Sequence, residues 1–257
     1  MTKYPIILVH GLAIKDYKSI KAFGKIEQSL LDAGYDAYTS KQDAFGSIEN
    51  NAAQLKECIL DILQKTNAEK INIIAHSKGG LDAKYMITEL DMADRVASLT
   101  TLCTPHKGSA IASHIWNLPM WIKKGLSFFI NGFYRLIGDK NPDSMKACEQ
   151  LTKTDENNTE ESFSDKVYCQ SYSTKLKRGK DCLLMAVPMT IYTRTEGEEN
   201  DGVVSEESAK FENYRGECID DSVSHLQIVD IFAKRRNRRK ILSFYVKLCS
   251  ELKEMGY

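Results

Sequence analysis

The run Ile73-Ile74-Ala75-His76-Ser77-Lys78-Gly79-Gly80 sets a serine between an apolar stretch and a segment of helical period, with Ala75 two residues before it and Gly79 two after. A sharp strand-to-helix turn strains the backbone at the serine and brings those two flanking positions together, so only small side chains fit there. The hydroxyl then stands at the carboxyl edge of a sheet, where open α/β sheets bind ligands. A serine so placed can attack a carbonyl. On its own it is a poor nucleophile at neutral pH and needs a base, itself oriented by a carboxylate.

For a serine on such an elbow, the acid and then the base follow in chain order. Of the five histidines, His10, His76, His106, His114 and His225, only His225 comes late enough, in the polar loop Asp221-Ser222-Val223-Ser224-His225-Leu226. The acid is expected at Asp201, in Glu198-Glu199-Asn200-Asp201-Gly202-Val203-Val204, where Gly202 makes a turn after a strand expected over 189–194. Glu196, Glu198, Glu199, Asp220 and Asp221 compete; the turn glycine and the two valines favour Asp201. The oxyanion of the attacked carbonyl needs two preorganised backbone amides. Those of Lys78, next to the serine, and Leu12, in the loop after the first apolar run, are the candidates, with the Lys78 side chain expected along the helix surface.

Short apolar runs alternate with helix-period segments through the first two-thirds of the chain, the pattern of crossover units on a parallel sheet. Strands are predicted at 6–9, 35–39, 71–75, 96–103, 187–194 and 210–214, with helices at 18–31, 47–65 (Ser47 as N-cap), directly after Ser77, and at 238–254. The fold class is α/β, with a mostly parallel central sheet covered by helices on both faces. Residues 1–257 form one domain, and 110–180, where the alternation stops, is an inserted helical cap or lid. Its apolar part, 111–137, includes Ile111, Trp116, Trp121, Phe128 and Phe129; a polar part follows over 152–165. Set over the serine, the apolar part would wall an acyl-binding site; ordinary cap packing or an oligomer contact is the alternative.

Composition narrows the class. The 257 residues carry 35 Lys+Arg against 35 Asp+Glu, a zero formal charge that gives no reason to expect nucleic-acid binding. The basic run Lys234–Lys240 reads as a solvated helix start. Hydrophobic residues at 42% and charged at 27% are ordinary globular usage and exclude a disordered chain. Seven cysteines with no C-x-x-C pair read as reduced thiols. With only four apolar residues before His10-Gly11, too few for a signal-peptide core, a cytoplasmic location is expected, or a secreted one if the chain is a trimmed mature form. The apolar part of the insert, broken by Lys123, Lys124 and Arg135, falls short of a membrane span.

The segments Tyr4–Leu12, Ala75–Gly80, Thr104–Ser109, Asn200–Val204 and Ser224–Leu226, in this order, resemble bacterial triacylglycerol lipases of the α/β-hydrolase superfamily. The resemblance implies a serine hydrolase of carboxylic esters, with Ser77 as nucleophile, Asp201 as acid, His225 as base, and Leu12 and Lys78 as oxyanion amides. It also implies a structural role for His106. Two departures stand out. Many such lipases hold calcium partly through an aspartate two residues after the catalytic histidine, and here that residue is Gln227, whose neutral amide lacks the charge; no metal and no organic cofactor are expected. The family's members are usually exported, and this chain shows no export signal. The expected partner is a small ester or lipid substrate with an apolar acyl chain, together with transient contact with a lipid interface. Another acyl-transfer enzyme (thioesterase, phospholipase or acyltransferase) and a non-catalytic binding protein on the same fold are the rival readings.

Overall fold

A computed structural model describes residues 2–152, 166–197 and 199–257. Along the chain run β1 (Ile6–Val9), α1 (Ile26–Asp32), β2 (Ala37–Thr39), α2 (Ile48–Thr66), β3 (Ile71–His76), α3 (Lys78–Glu89) and β4 (Val96–Leu102). Then come α4 (Ala110–Trp116), α5 (Met120–Leu136), α6 (Ser144–Thr152), β5 (Tyr168–Ser173), α7 (Leu183–Glu196), α8 (Glu206–Ala209), β6 (Asn213–Glu217) and α9 (Arg235–Glu254). The six strands form one parallel sheet in the order β2-β1-β3-β4-β5-β6.

Side chains alternate across each strand and feed two cores. Ile6 and Leu8 of β1 pack with Ile26 and Leu30 of α1 and Ile241, Tyr245 and Leu248 of α9. Ile7 and Val9 face the other way, onto Leu55 and Ile59 of α2 and Ala83 and Met86 of α3. All four residues of β1 are buried, as expected for a parallel strand covered on both faces. Helix α2 starts as its sequence predicts, with the Ser47 hydroxyl accepting the Asn50 amide. The strand order changes direction at β1 and β3, and the switch point of such a sheet opens a crevice at the carboxyl ends of those two strands.

Several expectations need correction. The predicted strand over 187–194 is part of the helix α7, whose Leu183, Leu184 and Val187 lie exposed. Its β-branched residues suggested a strand, but Pro188 would deprive a parallel ladder of a donor. The strand at this point of the sheet is β5, which lies inside the predicted 110–180 insertion, so that insertion ends before Tyr168. The sequence Tyr-Cys-Gln-Ser-Tyr-Ser hides a central strand behind polar residues because each finds a partner: Gln170 donates to Thr100 Oγ1, Ser171 to the Phe211 carbonyl, and Ser173 bonds the Tyr214 phenol. The last strand is Asn213–Glu217 rather than 210–214. The helix predicted over 18–31 begins only at Ile26, because Lys18 and Gly24 take positive φ and a Cβ on Gly24 would collide with Asp230 at 2.6 Å. The polar stretch of the insert, 153–165, lies outside the described residues.

Candidate active site

Ser77 sits between β3 and α3 with φ 55° and ψ −134°, a conformation that persists only where its surroundings enforce it. They do so from three sides. A Cβ on Gly11 of the loop after β1 would lie 2.6 Å from Ser77 Cβ, and one on Gly79 would lie 2.5 Å from the His10 carbonyl. A Cβ on Gly80 would meet Thr104 Oγ1 at 2.2 Å, and that hydroxyl donates to the Ser77 carbonyl at 2.9 Å. The small residues around the serine thus let β1, β3 and the end of β4 close on the turn.

His225 lies in the loop between β6 and α9, and its Nε2 is 2.8 Å from Ser77 Oγ. Its Nδ1 is 2.7 Å from Asp201 Oδ2. The chemistry fixes the protons: the serine hydroxyl donates to Nε2, and Nδ1–H donates to the carboxylate. Asp201 Oδ1 accepts the Val203 and Val204 amides at 2.9 and 2.8 Å, in a turn closed by Gly202 at φ +102°. The His225 amide donates to the Asp201 carbonyl at 3.0 Å, so the two residues are joined by backbone as well as side chain. All three side chains are buried. Asp201 is carried by the excursion between β5 and β6, after a helix and not after a strand as expected. Three of its competitors are engaged elsewhere, Glu199 with Lys175, Asp220 with Lys177, and Asp221 with Lys240; Glu196 is the last residue of α7, and Glu198 lies outside the described residues.

The loop carrying His225 is held by residues whose part the sequence did not disclose. His76 Nε2–H donates to the His225 carbonyl at 2.9 Å, which leaves its buried Nδ1 as an acceptor without a partner. In the sequence His76 stands out only as a neighbour of the serine; a polar residue ending a wholly buried strand is the available signal. Gln227, at the position the resemblance gives to a calcium-binding aspartate, uses its oxygen to accept the Ser224 amide and its nitrogen to donate to the Asp181 carbonyl. In the basic run, Arg238 binds Asp230 and Lys240 binds Asp221, and Asn237 donates to the Ser222 carbonyl, tying the start of α9 to the same loop.

Neither the Leu12 nor the Lys78 amide is used in a hydrogen bond among the described residues, and both flank the serine, Leu12 through Gly11. The Lys78 side chain corrects the expectation: it does not follow the helix surface but is buried, 2.6 Å from Asp82 Oδ1. His106 is half-buried, stacks on Phe211 and bonds Thr101, while Ser109 donates to the Val203 carbonyl beside the Asp201 turn. Of the lid candidates, Ile111 and Trp116 on α4 are half-buried, Trp116 beneath the Lys123 ammonium. Trp121, Phe128 and Phe129 on α5 are 75%, 76% and 74% exposed.

Burial shifts the titration of the groups around the site. It holds His10 down to about 4 and His106 to about 3, lowers His76 well below the ordinary imidazole range, and pushes the Asp82 carboxyl up to about 6. It also raises the Cys103 thiol, which faces Asp201. Unfolded imidazoles titrate near 6.5, so between pH ~6.5 and ~4 the unfolded chain binds more protons at these histidines than the fold does. Stability is therefore complete above that window and falls as pH drops through it, by about 1.4 kcal/mol per pH unit for each histidine. Asp82 works in the opposite sense below pH ~6 and offsets about one of the three. The melting temperature is expected to fall between pH 6.5 and 4.5, and His106→Asn to make the fall shallower in a thermal melt series. An unchanged slope in that variant would contradict the assignment.

Residues 5–178 match the model of a family described as "Putative serine esterase (DUF676)". The chain is 28% identical over 253 residues to "Triacylglycerol lipase 2" of Saccharomyces cerevisiae, covering 90% of this chain and 73% of that protein. It is 32% identical over 164 residues to a triacylglycerol lipase of Pseudarthrobacter phenanthrenivorans, covering 59% of this chain and about half (51%) of the bacterial protein. In fold it is similar to the crystal structure of Staphylococcus hyicus lipase, with a TM-score of 0.69 at 15% identity, over 98% of this chain and 96% of that one. The architecture is that of the α/β-hydrolases.

Proposed function

We propose, from the premise that the chain belongs to the serine esterase family whose model it matches, that Ser77, His225 and Asp201 hydrolyse carboxylic esters with apolar acyl chains. Family and fold make the chain a serine hydrolase acting on esters. The observation that carries the residue roles is the unbroken run of contacts from Ser77 Oγ to His225 Nε2 and from Nδ1 to Asp201, at 2.8 and 2.7 Å. As Oγ attacks the ester carbonyl, Nε2 takes its proton, and the carboxylate steadies the imidazolium that forms. The carbonyl electrons move onto oxygen, within reach of the Leu12 and Lys78 amides. Collapse of this intermediate expels the alcohol, which leaves with the proton from Nε2, and an acyl-enzyme remains on Ser77. Water then repeats the sequence, with His225 again as base.

The finer reading, apolar acyl chains met at a lipid surface, is supported by α5 and α7. Trp121, Phe128, Phe129, Phe133 and Leu136 on the first and Leu183, Leu184 and Val187 on the second leave large apolar side chains in water, and exposed apolar patches of this kind mark contact surfaces. On this reading α4 and α5, within the shortened insertion, form the lid. No helix among the described residues is long and apolar enough to cross a membrane. All seven cysteines are free, which supports a cytoplasmic, reducing setting.

A series of p-nitrophenyl esters from acetate to palmitate, run beside acyl-thioesters and phospholipids, tests the substrate class. The expectation is that kcat/KM rises by about tenfold or more from the two-carbon to the longer acyl chains, at up to ~0.8 kcal/mol per buried methylene, with esters preferred over thioesters. A flat series, or a thioester or phospholipid preference, would overturn it.

A further inference from the structure

Helix α5 contains no buried residue, yet the residue three positions beyond its end, Asp139, has a fully buried carboxylate. Gly138, at φ +104°, turns the chain out of the helix and delivers that carboxylate into the body of the protein. There Oδ1 takes the Lys15 ammonium at 2.5 Å and Oδ2 accepts the Phe45 amide at 3.0 Å. One turn earlier on the helix, the Tyr134 hydroxyl donates to the Ala13 carbonyl at 2.8 Å, and its ring meets Phe45 edge-on. Ala13 is held at φ +64°, an unfavourable conformation for alanine, and its amide donates to the Ala44 carbonyl. Residues 134–139 thus clasp 13–15 and 44–45 together, immediately after Leu12.

A second set of bonds runs from the same place to the other side of the serine. The Asp43 carboxylate accepts the Lys140 and Asn141 amides at 2.8 and 2.7 Å, and the Asp43 carbonyl accepts Asn51 Nδ2 at 2.9 Å. Asn51 Nδ2 also donates to Asp82 Oδ2 at 3.1 Å, and Asp82 Oδ1 takes the Lys78 ammonium. One chain of polar contacts therefore runs from Ala13, next to Leu12, to the Lys78 ammonium, and the end of α5 lies in the middle of it. Buried ion pairs add little net stability and are better suited to fixing one geometry.

Resting on the serine-esterase reading, we propose that Tyr134 and Asp139 are positioning residues: the C-terminal end of α5 sets the Leu12 amide, and through Asp43 the Lys78 amide, in place for the oxyanion. Neither touches the substrate. With α5 displaced, the loop after β1 loses its clasp and the transition state loses amide donors, while binding of a short ester is little changed.

The test uses the full chain and the variants Tyr134→Phe, Asp139→Asn and the two combined, with active sites counted by fluorophosphonate titration. On p-nitrophenyl butyrate each single variant is expected to lose about fivefold or more in kcat per titrated site, with KM within about twofold, because a misplaced amide is missed in the transition state alone. Binding of a trifluoromethyl ketone, which forms an oxyanion adduct on the serine, is expected to weaken by the same factor as kcat/KM. The combined variant is expected to be little worse than the poorer single one, since both act through one clasp. Tyr134→Phe removes a single hydroxyl and keeps the test open if Asp139→Asn folds poorly. Folded variants with kcat within twofold of the parent, or a loss in KM alone with ketone affinity unchanged, would overturn the positioning role and leave the esterase reading standing. A parent chain that neither turns over the ester nor labels at Ser77 would remove both.

Discussion

Ser77→Ala is expected to lower kcat on a soluble ester by about 10⁶-fold, the scale on which a serine nucleophile contributes when the rest of its site is intact. The variant removes only Oγ. The backbone at residue 77 is held by the Ser77 amide on the Leu102 carbonyl, the Thr104 hydroxyl on the Ser77 carbonyl, and the close approach of Gly11, none of which involves the hydroxyl. Its loss breaks one hydrogen bond, to His225, a contribution of about 1 kcal/mol, so the melting temperature is expected to move by a few degrees at most. Activity and stability separate completely in this variant, which distinguishes a reacting serine from one that merely caps α3.

Asp201→Asn is the second variant with a large expected effect, and the Asp201 turn dictates its direction. Two backbone amides, those of Val203 and Val204, point at Oδ1. In an asparagine they would hold the amide oxygen there, which turns the NH₂ group toward His225 Nδ1. Nδ1 must then accept, and the imidazole proton moves to Nε2, facing Ser77 Oγ. A histidine in that tautomer cannot take the serine proton. The expected loss in kcat is about 10⁴-fold, the scale of a wrong tautomer in a serine triad, with the melt close to that of the parent because the turn keeps its oxygen acceptor. Loss of activity accompanied by unfolding would show that Asp201 serves the loop rather than the imidazole.

The Ser77 turn and the place of His225 beside it were legible because their signals are local or exclusive. Small residues around Ser77 reflect a steric demand that the backbone cannot evade, and His225 was the only histidine late enough in the chain. Asp201, which the structure sets beside His225, was singled out through Gly202 although the element before it is a helix and not a strand, since a turn glycine at φ +102° leaves a sequence mark whatever precedes it. Strand β5 was hidden because hydrophobic pattern is a proxy for burial: Gln170, Ser171 and Ser173 are buried by side-chain pairing across neighbouring strands and loops. Lys78 misled for the same reason. A lysine at the start of a helix reads as solvated, and only the Asp82 carboxylate one turn on, buried with it, shows why it turns inward. The polar pairs of β5 are long-range and leave no periodic trace, and the Lys78–Asp82 pair, though one helical turn apart, has the spacing of an ordinary surface pair until the fold buries it.

The most direct measurement is labelling of the folded parent chain with a fluorophosphonate, followed by mass-spectrometric mapping of the modified peptide and a parallel reaction on Ser77→Ala. A serine raised on its turn and hydrogen-bonded to the His225 imidazole should take up one equivalent of label, at Ser77 and nowhere else, with none on the alanine variant. Label on another residue, or none on a chain that melts cooperatively, would contradict the account.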